Sequence, residues 1–183
     1  MADSIQILKS RARILHKLAR KNDYKALQQL VKLKEFKKLT SIEIQERLQR
    51  RHCLTAIANE CGFDGWSHAM HLLGGGNTGG FGDVLYPPRC GAHSNIWCST
   101  YDEAKEIRDT NDGYLLGYKH QFLVVDEHFM RTLGIDPEDT DLQAMGKDWI
   151  NPQNPDARKR LYGKIIDRST SNQPLPSPDT RNS

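Results

Sequence analysis

At 183 residues, with 37% apolar and 27% charged side chains, the chain can form one compact domain or two small ones sharing an interface. It has no apolar run near the ~18 residues a membrane span requires. Met1-Ala2-Asp3-Ser4 leads into a charged amphipathic segment instead of a secretory apolar core, so a cytoplasmic address without membrane contact is expected. Four cysteines (Cys53, Cys61, Cys90, Cys98) are too few and too unevenly placed for a disulfide scaffold and fit a reducing compartment. The net charge of +3 hides an asymmetry. Residues 1–73 hold 14 Lys+Arg against 7 Asp+Glu, and residues 74–183 hold 12 against 16.

In chain order, Ile5, Leu8, Ala12, Leu15 and Ala19 recur at three- and four-residue steps and predict a helix over 4–20, with Lys9, Arg13, Lys17 and Arg20 on its other side. Asn22-Asp23 stops it and caps a second helix from Tyr24 to about Phe36. Thr40-x-x-Glu43 is a capping box for a third helix carrying Ile44 and Leu48. A fourth runs from Leu54 to Cys61 and closes at Gly62; a short fifth spans Trp66 to Leu73. Residues 74–83 (GGGNTGGFGD) hold six glycines and lose too much backbone entropy to be element interior. They are expected to be a mobile surface loop between two halves that pack together.

Beyond Pro87-Pro88 the pattern changes. Asn95–Ser99 reads as a strand, and Thr100-x-x-Glu103 opens a helix to about Asp109. Asn111-Asp112-Gly113 turns into a hairpin of 114–116 and 121–125. Phe122–Val125 is apolar at every position, so this strand is expected to be central and covered on both faces. Asp126 caps a helix ending at Gly134, a short helix follows over 141–145, and Asn154-Pro155 opens a last one that buries Ala157, Leu161 and Ile165. Residues 168–183 lack apolar periodicity and are expected to be disordered. The fold class is thus α+β: an N-terminal helical bundle, then a small β-α-β-β sheet with C-terminal helices. The expected organisation is a basic helical module over 1–73, a Gly/Pro-rich loop over 74–92, an α+β module over 93–167 and a tail over 168–183.

Gly74-x-Gly76-x-x-Gly79 matches the dinucleotide fingerprint in letters alone, because a helix precedes it where a strand is needed. Cys90-x-x-His93-x4-Cys98 has zinc-like spacing, with His120 or His128 as a fourth ligand. In a 95–99 strand, however, Cys98 points with Ile96 while His93 and Trp97 point the other way. No metal and no cofactor are expected. Asp126-Glu127-His128 is read as a helix cap followed by a first-turn acid. Lys37-Lys38, Arg50-Arg51 and Arg158-Lys159-Arg160 are read as solvated helix faces. Tyr118, His93, His120 and His128 are the candidate pocket residues.

Leu54, Ile57-Ala58, Gly62-Phe63 and Ser67-His68 resemble the helix-turn-helix of AraC-type regulators, which implies a DNA-reading second helix. Yet no Lys or Arg occurs between His52 and Pro88, and phosphate contacts dominate such affinity. Ile57-Ala58, Gly62-Phe63 and Trp66 are also similar to a small bacterial helical module labelled glyoxalase-related. That resemblance implies a bacterial protein and no catalysis by the module itself. The strand–helix–hairpin order resembles part of a glyoxalase-type βαβββ unit in topology; otherwise the second half is similar to bacterial proteins without an assigned activity. Two functional classes follow. The first is a non-enzymatic binding or adaptor protein whose Lys/Arg-rich helices over 4–51 engage an acidic protein or RNA. The second is a small metal- or ligand-binding enzyme with a pocket near the hairpin. DNA reading stands as a further alternative.

Overall fold

The computed structural model of the chain describes residues 4–76 and 80–171. Helix α1 (Ser4–Arg20) buries Leu8, Ala12, Leu15, Leu18 and Ala19 and turns Arg13, Lys17 and Arg20 to solvent. α2 (Tyr24–Val31) opens where the Asp23 carboxylate accepts from the Ala26 N–H at 2.8 Å. It is shorter than predicted. Residues 32–38 continue as turns, and the bonds from Leu33, Phe36 and Leu39 N–H reach back three residues each. That tighter winding keeps Leu33 and Phe36 buried at their three-residue spacing.

α3 (Ser41–Arg47) starts at the predicted Thr40–Glu43 capping box. α4 (Arg50–Glu60) starts four residues before Leu54, because Nδ1 of His52 accepts from the Gln49 N–H at 3.0 Å. An imidazole thus fills the capping role usually taken by a carboxylate. Gly62 closes α4 at φ +88°, and the Val84 backbone lies where a Cβ would stand, so glycine is required twice over. α5 (Trp66–Leu73) follows.

In the second half, β1 (Ile96–Cys98), α6 (Tyr101–Asn111), β2 (Tyr114–Tyr118) and β3 (Gln121–Val125) form an antiparallel sheet of order β1-β3-β2. The α+β class stands, and β3 is central. Trp97 pairs with Leu123 and Leu123 with Leu116, while Ile96 pairs with Val124 and Val124 with Leu115. One face adds Leu116, Leu123 and Val125 to an apolar cluster running from Leu8 to Ile166. The other packs Leu115, Val124 and Cys98 on Ala104 of α6, Phe81 and Ile150. α7 (Glu127–Leu133) is capped by Asp126 and closed by Gly134 at φ +106°; α8 (Thr140–Ala144) follows.

α9 (Pro155–Ser171) lies against α1, α5 and α8, so helices of the first half and the last helix share one core. It carries four residues, Arg168–Ser171, that were expected in the tail; 172–183 lie outside the described residues. Among the described residues no helix is long and apolar enough to cross a membrane.

The glycine-rich segment differs from the surface loop expected. Residues 77–79 lie outside the described residues, but Phe81 and Gly82 are buried. Phe81 N–H donates to Lys119 O at 3.0 Å, and Lys119 N–H to Gly82 O at 3.1 Å. The Phe81 ring occupies the space a Cβ on Gly117 would need, which is why glycine interrupts β2.

Candidate functional site

The N-terminal helices present a basic surface. All fourteen Lys and Arg of the first half fall between Lys9 and Arg51, and all but Lys9 and Arg11 are exposed. The same span holds Asp23, Glu35, Glu43 and Glu46 as its only acids. Asp23 caps α2 and Glu43 caps α3. Among the described residues, Arg11, 3.5 Å from Glu60, is the one Lys or Arg of this set within 4 Å of a carboxylate. The second half is arranged oppositely. Arg108, Lys119, Arg131, Lys147, Lys159, Arg160 and Lys164 each lie in an ion pair.

Packing brings these cations together. Gln45 donates to Ala19 O at 2.9 Å and to Asn22 Oδ1 at 3.3 Å, tying α3 to the end of α1. His16 on α1 feels both Arg20 and Arg50. Partial burial, then those two guanidinium charges, hold its pKa below the ordinary imidazole value. Ile14, Tyr24 and Ile42 are exposed among the charges, Tyr24 by 74% and Ile42 by 70%. α5 contributes no cation; it is pinned instead through His68, whose Nδ1 accepts from Asp64 N–H at 2.9 Å while Nε2 donates to Gly80 O at 2.9 Å.

Two of the four pocket candidates border the same aromatic cluster without touching each other. The His93 ring packs edge-on to Phe129 at 5.7 Å, and its Nε2 lies 2.9 Å from Thr132 Oγ1. Phe129 stacks on Tyr86, which in turn meets Tyr118 at 5.1 Å and Trp97 at 5.3 Å. His93 and Tyr118 therefore border one aromatic cluster. His120 stays exposed in the hairpin turn and His128 stays exposed on α7. Cys90 belongs to the main core, whereas Cys98 lies in the cluster on the other face of the sheet. Among the described residues no three His, Cys, Asp or Glu gather at metal-binding distance.

Two buried polar groups, Asp148 and Arg158, carry structure. Asp148, 4% exposed, accepts from Tyr101 Oη at 2.8 Å, Arg108 Nη1 at 2.9 Å, and the Ile150 and Asn151 N–H at 2.9 Å each. Arg158 is not on a solvated face as expected; it is 2% exposed. Its guanidinium donates to the carbonyls of Trp149 at 2.9 Å, Gly75 at 2.9 Å and Gly76 at 3.0 Å. A groove of about 540 Å³ opens at the end of the sheet, with Ile96, Tyr114 and Val124 on its apolar side and Asp126, Glu127 and Glu138 on its rim.

Neither a family model, nor a curated protein, nor a solved structure matches this sequence.

Proposed function

We propose that the chain is a non-enzymatic binding protein or adaptor whose helices over 4–51 engage an acidic partner, with RNA as the version the surface favours. The observation that supports it is the contrast between the halves. Seven cations of the second half lie in ion pairs with its own carboxylates, whereas the first half displays thirteen Lys and Arg without a carboxylate in ion-pair reach among the described residues. Such charge concentrates polyanions and steers them to the surface. Exposed Tyr24, Ile14 and Ile42 among the cations add places for base or apolar contact.

Fluorescence anisotropy with a labelled random-sequence single-stranded RNA tests it. Binding is expected at low salt, weakening at least about tenfold between about 50 and 200 mM NaCl as counterions cease to be released. Absence of RNA binding at low salt refutes the RNA version. Binding of polyglutamate under the same conditions would then assign the surface to an acidic protein.

A further inference from the structure

The two edges of the sheet are treated differently. Leu115 on β2 is bridged to the 147–149 segment: its N–H donates to Lys147 O at 2.9 Å and its carbonyl accepts from Trp149 N–H at 3.0 Å. Among the described residues β1 has a strand neighbour on one side only. Residues 94–99 (Ser-Asn-Ile-Trp-Cys-Ser) contain no charge and no proline, the usual devices that stop an edge from pairing. Ile96 and Trp97 point to opposite faces of the sheet, yet they are 45% and 42% exposed. Their inner neighbours Val124 and Leu123 are buried. Exposure on both faces at once is what a missing outer strand leaves behind.

The two sides of that edge differ in chemistry. On the Ile96 side lies the groove rimmed by Asp112, Asp126, Glu127 and Glu138, with Lys147 its one cation among the described residues. Lys147 is 2.7 Å from Asp112, Asp126 caps α7 through the Phe129 N–H, and Glu127 pairs with Arg131. The groove remains net negative. On the other side Trp97 meets Tyr118 at 5.7 Å and Tyr86 at 5.3 Å.

We propose that the open edge of β1 is a strand-addition site for an extended segment of another protein whose side chains alternate basic and apolar. A strand added there donates and accepts main-chain bonds along β1 and sends alternate side chains to opposite faces. Cross-strand neighbours stand about 4.5–5.5 Å apart, so one set reaches the acidic groove beside Ile96 and the other covers Trp97. A second copy of this chain is the poorer occupant. Pairing β1 with itself brings two acidic grooves to one interface and supplies no cation to either.

The test uses the full chain with a capped peptide of alternating lysine and valine, its glutamate–valine counterpart, and the lysine peptide N-methylated at alternate residues. Amide shifts of Ile96–Cys98 and the Trp97 indole are read by NMR. The lysine peptide is expected to shift these signals saturably; both other peptides are expected to bind at least about tenfold more weakly, having lost the charge match or the main-chain bonds. Ile96→Lys places a charge on an already exposed position and is expected to abolish the shifts while the far-ultraviolet dichroism stays unchanged. Equal binding of the glutamate or N-methylated peptide, or shifts confined to other elements, overturns the proposal. So does self-association that Ile96→Lys removes, which assigns the edge to a second copy. RNA binding by the helices is read separately, so each reading fails on its own.

Discussion

Nη2 of Arg158 on the last helix donates to the carbonyl oxygen of Gly75 at 2.9 Å, joining residues 83 positions apart. Two further carbonyls share the same guanidinium, and among the described residues no carboxylate lies in ion-pair reach of it. The charge is solvated by backbone alone, so the side chain acts as a clamp on the loop leaving α5. Arg158→Met removes three charge-assisted bonds and strands their acceptors. A loss of about 2–4 kcal/mol is expected, read as a lower urea midpoint. Arg158→Lys, with a single compact head, recovers part of it at most.

Gly117 is predicted to be the least replaceable glycine of the sheet. A Cβ there would enter the Phe81 ring, and Gly117→Ala is expected to destabilise by about 2 kcal/mol through overpacking. Among the described residues the nearest atom to a Cβ on Gly80 is 3.7 Å away, so Gly80→Ala should cost less than Gly117→Ala. A double-mutant cycle of Gly117→Ala with Phe81→Leu should show coupling of about 1 kcal/mol or more; additive effects would separate the two residues.

His52 sets an acid dependence. Burial first, with Arg51 adding, lowers its pKa below 6.5 despite the opposing pull of Glu35. The folded state therefore binds fewer protons than the unfolded one as pH drops through about 6.5, and stability decreases as pH is lowered across that window. His16 acts in the same sense, held down by burial, Arg20 and Arg50. Thermal midpoints should decline from about pH 7 to about pH 5, more steeply than in His52→Gln, which keeps an acceptor for the Gln49 N–H but does not titrate.

For His16 the consequence reverses on the surface. A polyanion seated over Arg20 and Arg50 offsets their repulsion, so binding should take up protons and tighten as pH falls below neutrality. Titration calorimetry in buffers of different ionisation enthalpy measures that uptake, and His16→Gln should remove most of it while leaving binding intact. Uptake that is unchanged in His16→Gln would place the titrating group elsewhere.

The thiols should be silent. All four cysteines are free and buried, and burial pushes Cys53 to about 11 and Cys61 to about 12. Since the thiolate is the reactive form, Ellman's reagent should react slowly with the native protein and with four thiols once it is unfolded in guanidinium chloride.

Much of the fold was legible because local chemistry announces it. Thr40, Thr100, Asp126 and Asn154 accept from helix N–H groups where their sequence contexts predict, and Phe122–Val125 foretells the central strand. The start of α4 is not legible, because a histidine at a capping position carries no sequence signal. The burial of Arg158 is hidden for a different reason. Between Ala157 and Lys159 its letter gives no sign that distant carbonyls of Gly75, Gly76 and Trp149 will surround it. The unneutralised character of the first half was likewise only half visible. Composition gives the excess of cations, but which cations find carboxylates depends on tertiary placement, as Arg160 and Lys164 do with Asp139 and Asp141.

The passage from helices to sheet is anchored on both sides, by Arg158 on Gly75 and Gly76 and by His68 on Gly80. Continuity of the backbone between those anchors is therefore dispensable once the core has formed. Polypeptides 1–76 and 80–183, made separately, each lack part of the cluster that runs from Leu8 to Ile166. They should be unable to fold alone and should complement one another when mixed, as two fragments of one cooperative unit.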